Sequence, residues 1–177
     1  PRGHRTLKEA AHVPAEVRRG RNRLAAVVVS GHGFKHLYRG GWSNILLPEI
    51  KIDMGLGGTQ FGVLAGATQA TSWLTTMVAG YLGDRFSHKA PLMLGLSMGL
   101  LGVSHFLAGI APNYAALLVV AFLLGVGPSL YHPPAISSLS RRFPDRRGFA
   151  ISLHGTGGSI GEVAGPWAAA GLLALVS

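Results

Sequence analysis

No Asp, Glu, Lys or Arg occurs between Asp53 and Asp84, and none between Lys89 and Arg141. A bilayer's hydrocarbon core is about 30 Å thick and takes about 20 apolar residues per helix, so the first interval holds one crossing and the second holds two. A soluble domain of 177 residues has no interior that could bury such stretches whole. Charged residues make up 13% of the chain, against about a quarter in soluble domains, and mean hydropathy is +0.35. The chain reads as an all-α integral membrane protein.

A net charge of +9 would make nucleic acid a candidate partner if the chain were soluble. The basic residues instead cluster outside the apolar runs, with none of the aromatic interleaving that stacks bases, so no nucleic acid is expected. The absence of cysteine excludes disulfides and thiolate metal sites. Residues 1–23 carry seven Lys and Arg residues and form a basic tail, longer than the charged region of a signal peptide and without its small-residue cleavage site. The chain starts at Pro1 and stops at Ser177 inside an apolar segment, so a bundle incomplete at its C-terminus is expected.

Five spans are expected, at about residues 24–47, 58–83, 90–110, 114–139 and 149–176, making residues 24–177 one transmembrane bundle. Pro112-Asn113 marks a tight turn between the third and fourth. Placing the N-terminus in the cytoplasm puts the tail, Arg85, Lys89, Arg141, Arg142, Arg146 and Arg147 on the inside and Lys51 alone outside; Lys35 and Arg39 lie within the first span. That asymmetry satisfies the positive-inside rule. Glycine is abundant, and in lipid it lets helices approach closely; Gly62/Gly66 and Gly161/Gly165 have the spacing of a packing motif.

After the second span the chain reads Gly80-Tyr81-Leu82-Gly83-Asp84-Arg85-Phe86-Ser87-His88-Lys89. This resembles the cytoplasmic signature between helices two and three of major facilitator superfamily transporters, with Ser87 and His88 departing from its usual Gly and basic residue. The resemblance implies a gate latch built on Gly80, Gly83, Asp84, Arg85 and Lys89, with Arg141 or Arg142 as the nearest partners for Asp84. A second resemblance lies in Gly161, Gly165 and Pro166, similar to the core of the family's antiporter motif, which bends and tightly packs the fifth helix. The trailing glycine pair of that motif is replaced by Ala168 and Ala169. In the fourth span, Ala121 stands where family exporters often carry Arg, and Tyr131-His132-Pro133-Pro134 resembles the fosmidomycin-resistance branch of exporters. The resemblance covers residues 24 to 177. It implies the first half, minus its sixth helix, of a two-half, twelve-span protein in a bacterial inner (cell) membrane. Gly155 to Gly161 also imitate a dinucleotide-binding fingerprint, but that chemistry needs a strand before it and a soluble sheet around it; no cofactor is expected.

Ionisable residues inside spans are costly and are functional candidates by default. His32, Lys35, His36 and Arg39 recur at spacings of three and four and, with Ser43, occupy an arc of about 100°. This stripe is expected to face a central cavity. Glu162 is the one acidic residue placed within a span, and pairing with Lys35 or Arg39, or proton carriage, would answer its cost. His105, His132 and His154 suit helix-to-helix hydrogen bonds. His32 and His36 have the i, i+4 spacing of a metal pair, but Lys35 and Arg39 on the same face would repel a divalent cation, so no metal site is expected.

The chain is therefore expected to serve secondary transport, not catalysis. It would move a small organic solute, anionic or zwitterionic, by alternating access with proton-coupled efflux. Lys35 and Arg39 would attract the anion, while Glu162 with His32, His36, His132 or His154 would handle protons. The rivals are a non-transporting membrane scaffold, which needs no central charges, a membrane-embedded enzyme, which needs a second acidic or metal-binding cluster, and a metal-ion transporter.

Overall fold

A computed structural model describes residues 13–176, and every element in them is helical. Of the basic tail, residues 1–12 lie outside the described residues. One turn, α1 (Ala15–Arg18), leads through Gly20, at φ 71°, into α2 (Arg21–Gly41). A π-helical turn (Trp42–Leu46) joins α2 to α3 (Leu47–Asp53). Then come α4 (Gly58–Arg85), a 3-10 turn (Ser87–Lys89), α5 (Ala90–Gly109), α6 (Tyr114–Ser129), α7 (His132–Arg142) and α8 (Arg147–Val176).

The local chemistry explains the joints. Pro48 has no N–H to give back to the carbonyl four residues earlier. The helix meets it with a π turn and continues to Asp53, and the Asn44 amide donates to the Gly40 carbonyl at 2.9 Å. Asn113 starts α6 by accepting the Ala116 N–H on its side chain at 3.0 Å. Thr68, Thr71 and Thr76 return their hydroxyls to carbonyls of their own helix.

The helices form two packed sets. α2 lies mostly along α8, and α6 sits between α4 and α5. Two apolar clusters close the ends of the bundle. One joins Trp42, Leu47, Leu64, Leu117 and Leu124; the other joins Val28, Tyr131, Leu139, Phe143 and Ala150. Between them lie the buried polar residues His32, Lys35, Ser97, Ser129 and His154. The outer faces are apolar and open, with Leu74, Met77, Phe106, Val163 and Trp167 each at least two-thirds exposed. A face of that kind is the surface lipid covers.

By length and composition alone, two rods are apolar enough to cross a membrane: Ser87–Gly109, and Tyr114–Arg142 across the α6–α7 joint. The other three long rods are diluted by polar side chains and by glycine, which lower their hydropathy.

Gly62 and Gly66 face open space, whereas Gly161 and Gly165 press onto backbone, so only the second expected packing motif packs here. The seven residues from Gly155 to Gly161 lie mid-helix in α8, with no strand before them.

Candidate functional site

The joint between α6 and α7 shapes the site. Pro128 lies inside α6 without an N–H to donate. Around it the ladder loosens: the Tyr131 N–H turns to the Pro128 carbonyl at 3.3 Å. The Gly127 carbonyl, which Tyr131 would serve in a regular helix, instead accepts the Ser97 hydroxyl at 2.6 Å. The Gly125 carbonyl accepts the hydroxyls of Ser129 at 2.8 Å and Ser72 at 3.2 Å. In lipid a broken helix persists where neighbours satisfy its freed backbone in this way. Pro133 and Pro134 then begin α7, where no N–H is needed, and the break presents His132 toward α2.

A cavity of about 420 Å³ opens between α2, α4, α5 and this joint. Lys35 and Arg39 reach it from α2, Ser43 from the π turn, Thr68, Gln69, Ser72 and Thr76 from α4, His105 from α5 and His132 from α7. Among the described residues no carboxylate lines it. Lys35 is buried at 3% exposure and its ammonium donates to His132 Nε2 at 2.5 Å. That contact fixes the imidazole as the neutral tautomer with its proton on Nδ1. Among the described residues Arg39 makes no ion pair.

The stripe on α2 therefore splits. Lys35, Arg39 and Ser43 face the cavity, while His32 and His36 turn to α8. His36 donates its Nδ1–H to the Glu162 carboxylate at 2.7 Å, so Glu162 meets a histidine and not the expected Lys35 or Arg39. His32 donates its Nδ1–H to the carbonyl of His154 at 2.7 Å and stacks on that ring, with centroids 3.7 Å apart. His154 contributes a carbonyl and a flat face, not a ring hydrogen bond; both its ring nitrogens are buried without a protein partner. His105 donates within its own helix to Leu101 at 2.8 Å and stands edge-on to Tyr38 and Trp42.

Glycine makes these pairings possible. A Cβ at Gly157 would come within 2.7 Å of the Val29 carbonyl, and one at Gly158 within 2.5 Å of the His32 ring. Cβ atoms at Gly161 and Gly165 would intrude on the carbonyls of Gly33 and Leu37. Gly161 and Gly165 thus pack on α2, and the helix that carries them with Pro166 inside it is continuous to Val176.

At the other end of the bundle the loop signature lies exposed. Gly83 rests on Pro133, with Asp84, Arg85 and Lys89 beyond it. Neither expected arginine pairs with Asp84. Arg141 donates to the Ser87 carbonyl at 3.3 Å, stitching the same loop by its backbone. Arg142 donates to the carbonyls of Glu16, Val17 and Arg19. A guanidinium at the end of α7 meets the unpaired carbonyls of a single-turn helix more readily than a solvated carboxylate. Nearby, Arg21 pairs with Asp145 at 2.8 Å. Desolvation works against the Asp145 charge, yet its own backbone amide and the Arg21 and Arg146 guanidiniums hold its carboxyl below the usual range.

Sequence reading missed the α4 contribution to the cavity. The signal was there: Thr68, Gln69, Ser72 and Thr76 recur at helical spacing on a span otherwise read only as apolar. It also missed Tyr131, whose buried hydroxyl donates to the Val28 carbonyl at 2.8 Å beside Gly31.

The chain matches the profile of the Major Facilitator Superfamily over residues 36–177. It is 30% identical over 129 residues to the fosmidomycin resistance protein of Escherichia coli, covering 73% of this chain and 31% of that one. It is 27% identical over 121 residues to the uncharacterized MFS-type transporter YfnC of Bacillus subtilis, covering 68% and 29%. With the oxalate:formate antiporter of Oxalobacter formigenes it shares 30% over 107 residues, covering 56% and 25%. The chain thus spans less than a third of the length of these relatives. No solved structure matches it.

Proposed function

Because the chain belongs to the major facilitator superfamily, and so to a family of membrane-embedded transporters, we propose that it is the front five spans of a secondary transporter for a small organic anion or zwitterion. The supporting observation is the cavity: two cations, Lys35 and Arg39, line it, and among the described residues no carboxylate does. An anion entering it meets uncompensated positive charge, whereas a metal cation as cargo would be repelled. A passive scaffold has no use for that charge, which costs about 2.5–3.5 kcal/mol per residue at the centre of a membrane helix. Oxalate and formate, in the name of one relative, are anions, and the resistance named in another suits outward movement.

The complete protein would add a sixth span and a second half, and the solute would sit between the halves while they rock about it. Proton coupling falls to the His36–Glu162 pair and His132. A proton on Glu162 removes the negative charge that His36 donates to and weakens that bond, and a proton on His132 Nε2 breaks its bond to Lys35. Either event changes the charge presented to the solute.

Orientation is the first test. A reporter fused after Asp145 should read cytoplasmic and one fused after Asn113 external. The opposite pattern would overturn the span order and the loop assignment together. The exposed signature carries a second expectation. Asp84→Asn in the full-length protein should cut transport by about tenfold or more, the worth of one charged hydrogen bond from Asp84 to the second half of the complete protein, at unchanged abundance. Transport falling only in step with abundance would reduce the loop to a structural link.

A further inference from the structure

We propose that His32, His36 and His132 form a site for a divalent transition metal of the zinc class, for which the metal and the Lys35 ammonium compete. Each histidine offers one ring nitrogen, and these nitrogens lie within 4.8 Å of one another. A tetrahedral ion held at about 2.1 Å spaces its ligands about 3.4 Å apart, so modest ring rotations close the site. The rings already meet edge-on, with centroids 4.6 Å apart for His32–His36 and 4.8 Å for His32–His132.

The outer hydrogen bonds are those of ligating histidines. His36 gives its Nδ1–H to the Glu162 carboxylate, and His32 gives its own to the His154 carbonyl. Both bonds fix the lone pair on Nε2, the arrangement by which second-layer groups orient and strengthen imidazole ligands. His32 is 4% exposed, and its Nε2 has no hydrogen-bond partner among the described residues. An orphaned acceptor at that depth is costly and invites a ligand. Three imidazoles without a carboxylate select zinc, nickel, cobalt or copper over magnesium and calcium.

Spacing along α2 alone argues against a metal, because Lys35 and Arg39 share the face. The fold answers half of that objection, since Arg39 is exposed toward the cavity. The other half becomes the mechanism. The Lys35 ammonium rests on His132 Nε2 and holds the third ligand as a tethered cation. Metal entry must displace it from that nitrogen. The occupied site would tie α2 to α7 directly and to α8 through Glu162 and His154, and would release Lys35 beside the cavity.

The test uses the full-length protein, purified without a histidine tag and titrated with zinc or cobalt alone. The expected result is one bound equivalent, with the visible bands of four-coordinate cobalt. His132→Gln and His36→Gln should abolish those bands, and His88→Gln, an exposed histidine outside the trio, should leave them unchanged. Lys35→Met should tighten zinc binding by about tenfold or more, because a like charge has been removed from contact distance; Lys35→Gln should act in the same direction. Bands that survive in both histidine variants, or zinc affinity that stays level or falls in both lysine variants, would overturn the proposal. No solute enters the measurement, so its outcome is independent of the transport reading.

Discussion

Gly161→Val in the full-length protein should leave almost no folded protein in the membrane. A Cβ at Gly161 would intrude on the Gly33 carbonyl and come within 3.0 Å of the Leu37 nitrogen. Neither is a side chain that can swing away, so α2 and α8 must separate along their shared face. Overfilling a packed interior costs about 1–3 kcal/mol even where side chains can adjust, and here the obstacle is backbone. Separation would also pull His36 from Glu162 and His32 from the His154 carbonyl, leaving polar groups stranded in the apolar interior. The contrast that isolates this effect lies on the same helix. Gly155 and Gly171 have no atom within 4 Å of where a Cβ would stand. Alanine at either should be tolerated or gain up to about 1 kcal/mol of helix propensity. Monodisperse yield after detergent extraction, with thermal unfolding of what remains, reads all three variants. Equal yields for Gly161→Val and Gly155→Ala would mean that α2 and α8 are not in contact.

Lys35→Gln should produce the largest loss of transport among the charge substitutions. Lys35 is the buried cation of the cavity, and its ammonium is oriented by His132. Truncating the cation of a buried pair between Lys35 and a bound anion costs about 2–5 kcal/mol, so transport of an anionic solute should fall by about 30-fold or more. A neutral analogue should suffer less, since glutamine still hydrogen-bonds. Arg39→Gln should show the same preference with a smaller effect, because Arg39 is exposed. The carboxylate behaves differently. Glu162 is bonded to His36, so Glu162→Gln and His36→Gln should cost less together than the sum of their separate effects. Glu162→Gln with Lys35→Gln should come closer to additivity. An equal loss for charged and neutral solutes in Lys35→Gln would remove Lys35 from solute recognition.

The membrane class was legible because it depends on composition along the chain. A helix in lipid carries few charges along its length, and the intervals flanked by Asp53, Asp84, Lys89 and Arg141 show that directly. The polar stripe on α2 was legible as well, since 3.6-residue periodicity places its members on one arc. What lay beyond periodicity was the choice of partner. His36 and Arg39 are less than one turn apart, yet one meets Glu162 and the other the cavity. That division follows from where α8 crosses α2, which glycines at Gly157, Gly158, Gly161 and Gly165 decide and no local rule for α2 contains. Arg142 is a similar case. Its partners are carbonyls of α1, and a backbone acceptor leaves no trace in side-chain identity.

The bend at Pro128 has a consequence for how such a chain can drift over generations. Three hydroxyls serve its loosened backbone, and they come from Ser72 on α4, Ser97 on α5 and Ser129 on α6 itself. An apolar residue at Ser97 would strand the Gly127 carbonyl, and apolar residues at Ser72 and Ser129 together would strip the Gly125 carbonyl of its side-chain donors, while a straight helix in place of the bend would strand the hydroxyls. Proline and serines, spread over three helices, are thus inherited as a set. A lineage that keeps the proline should keep the serines or replace them with residues that still donate, although nothing in their spacing along the chain connects them.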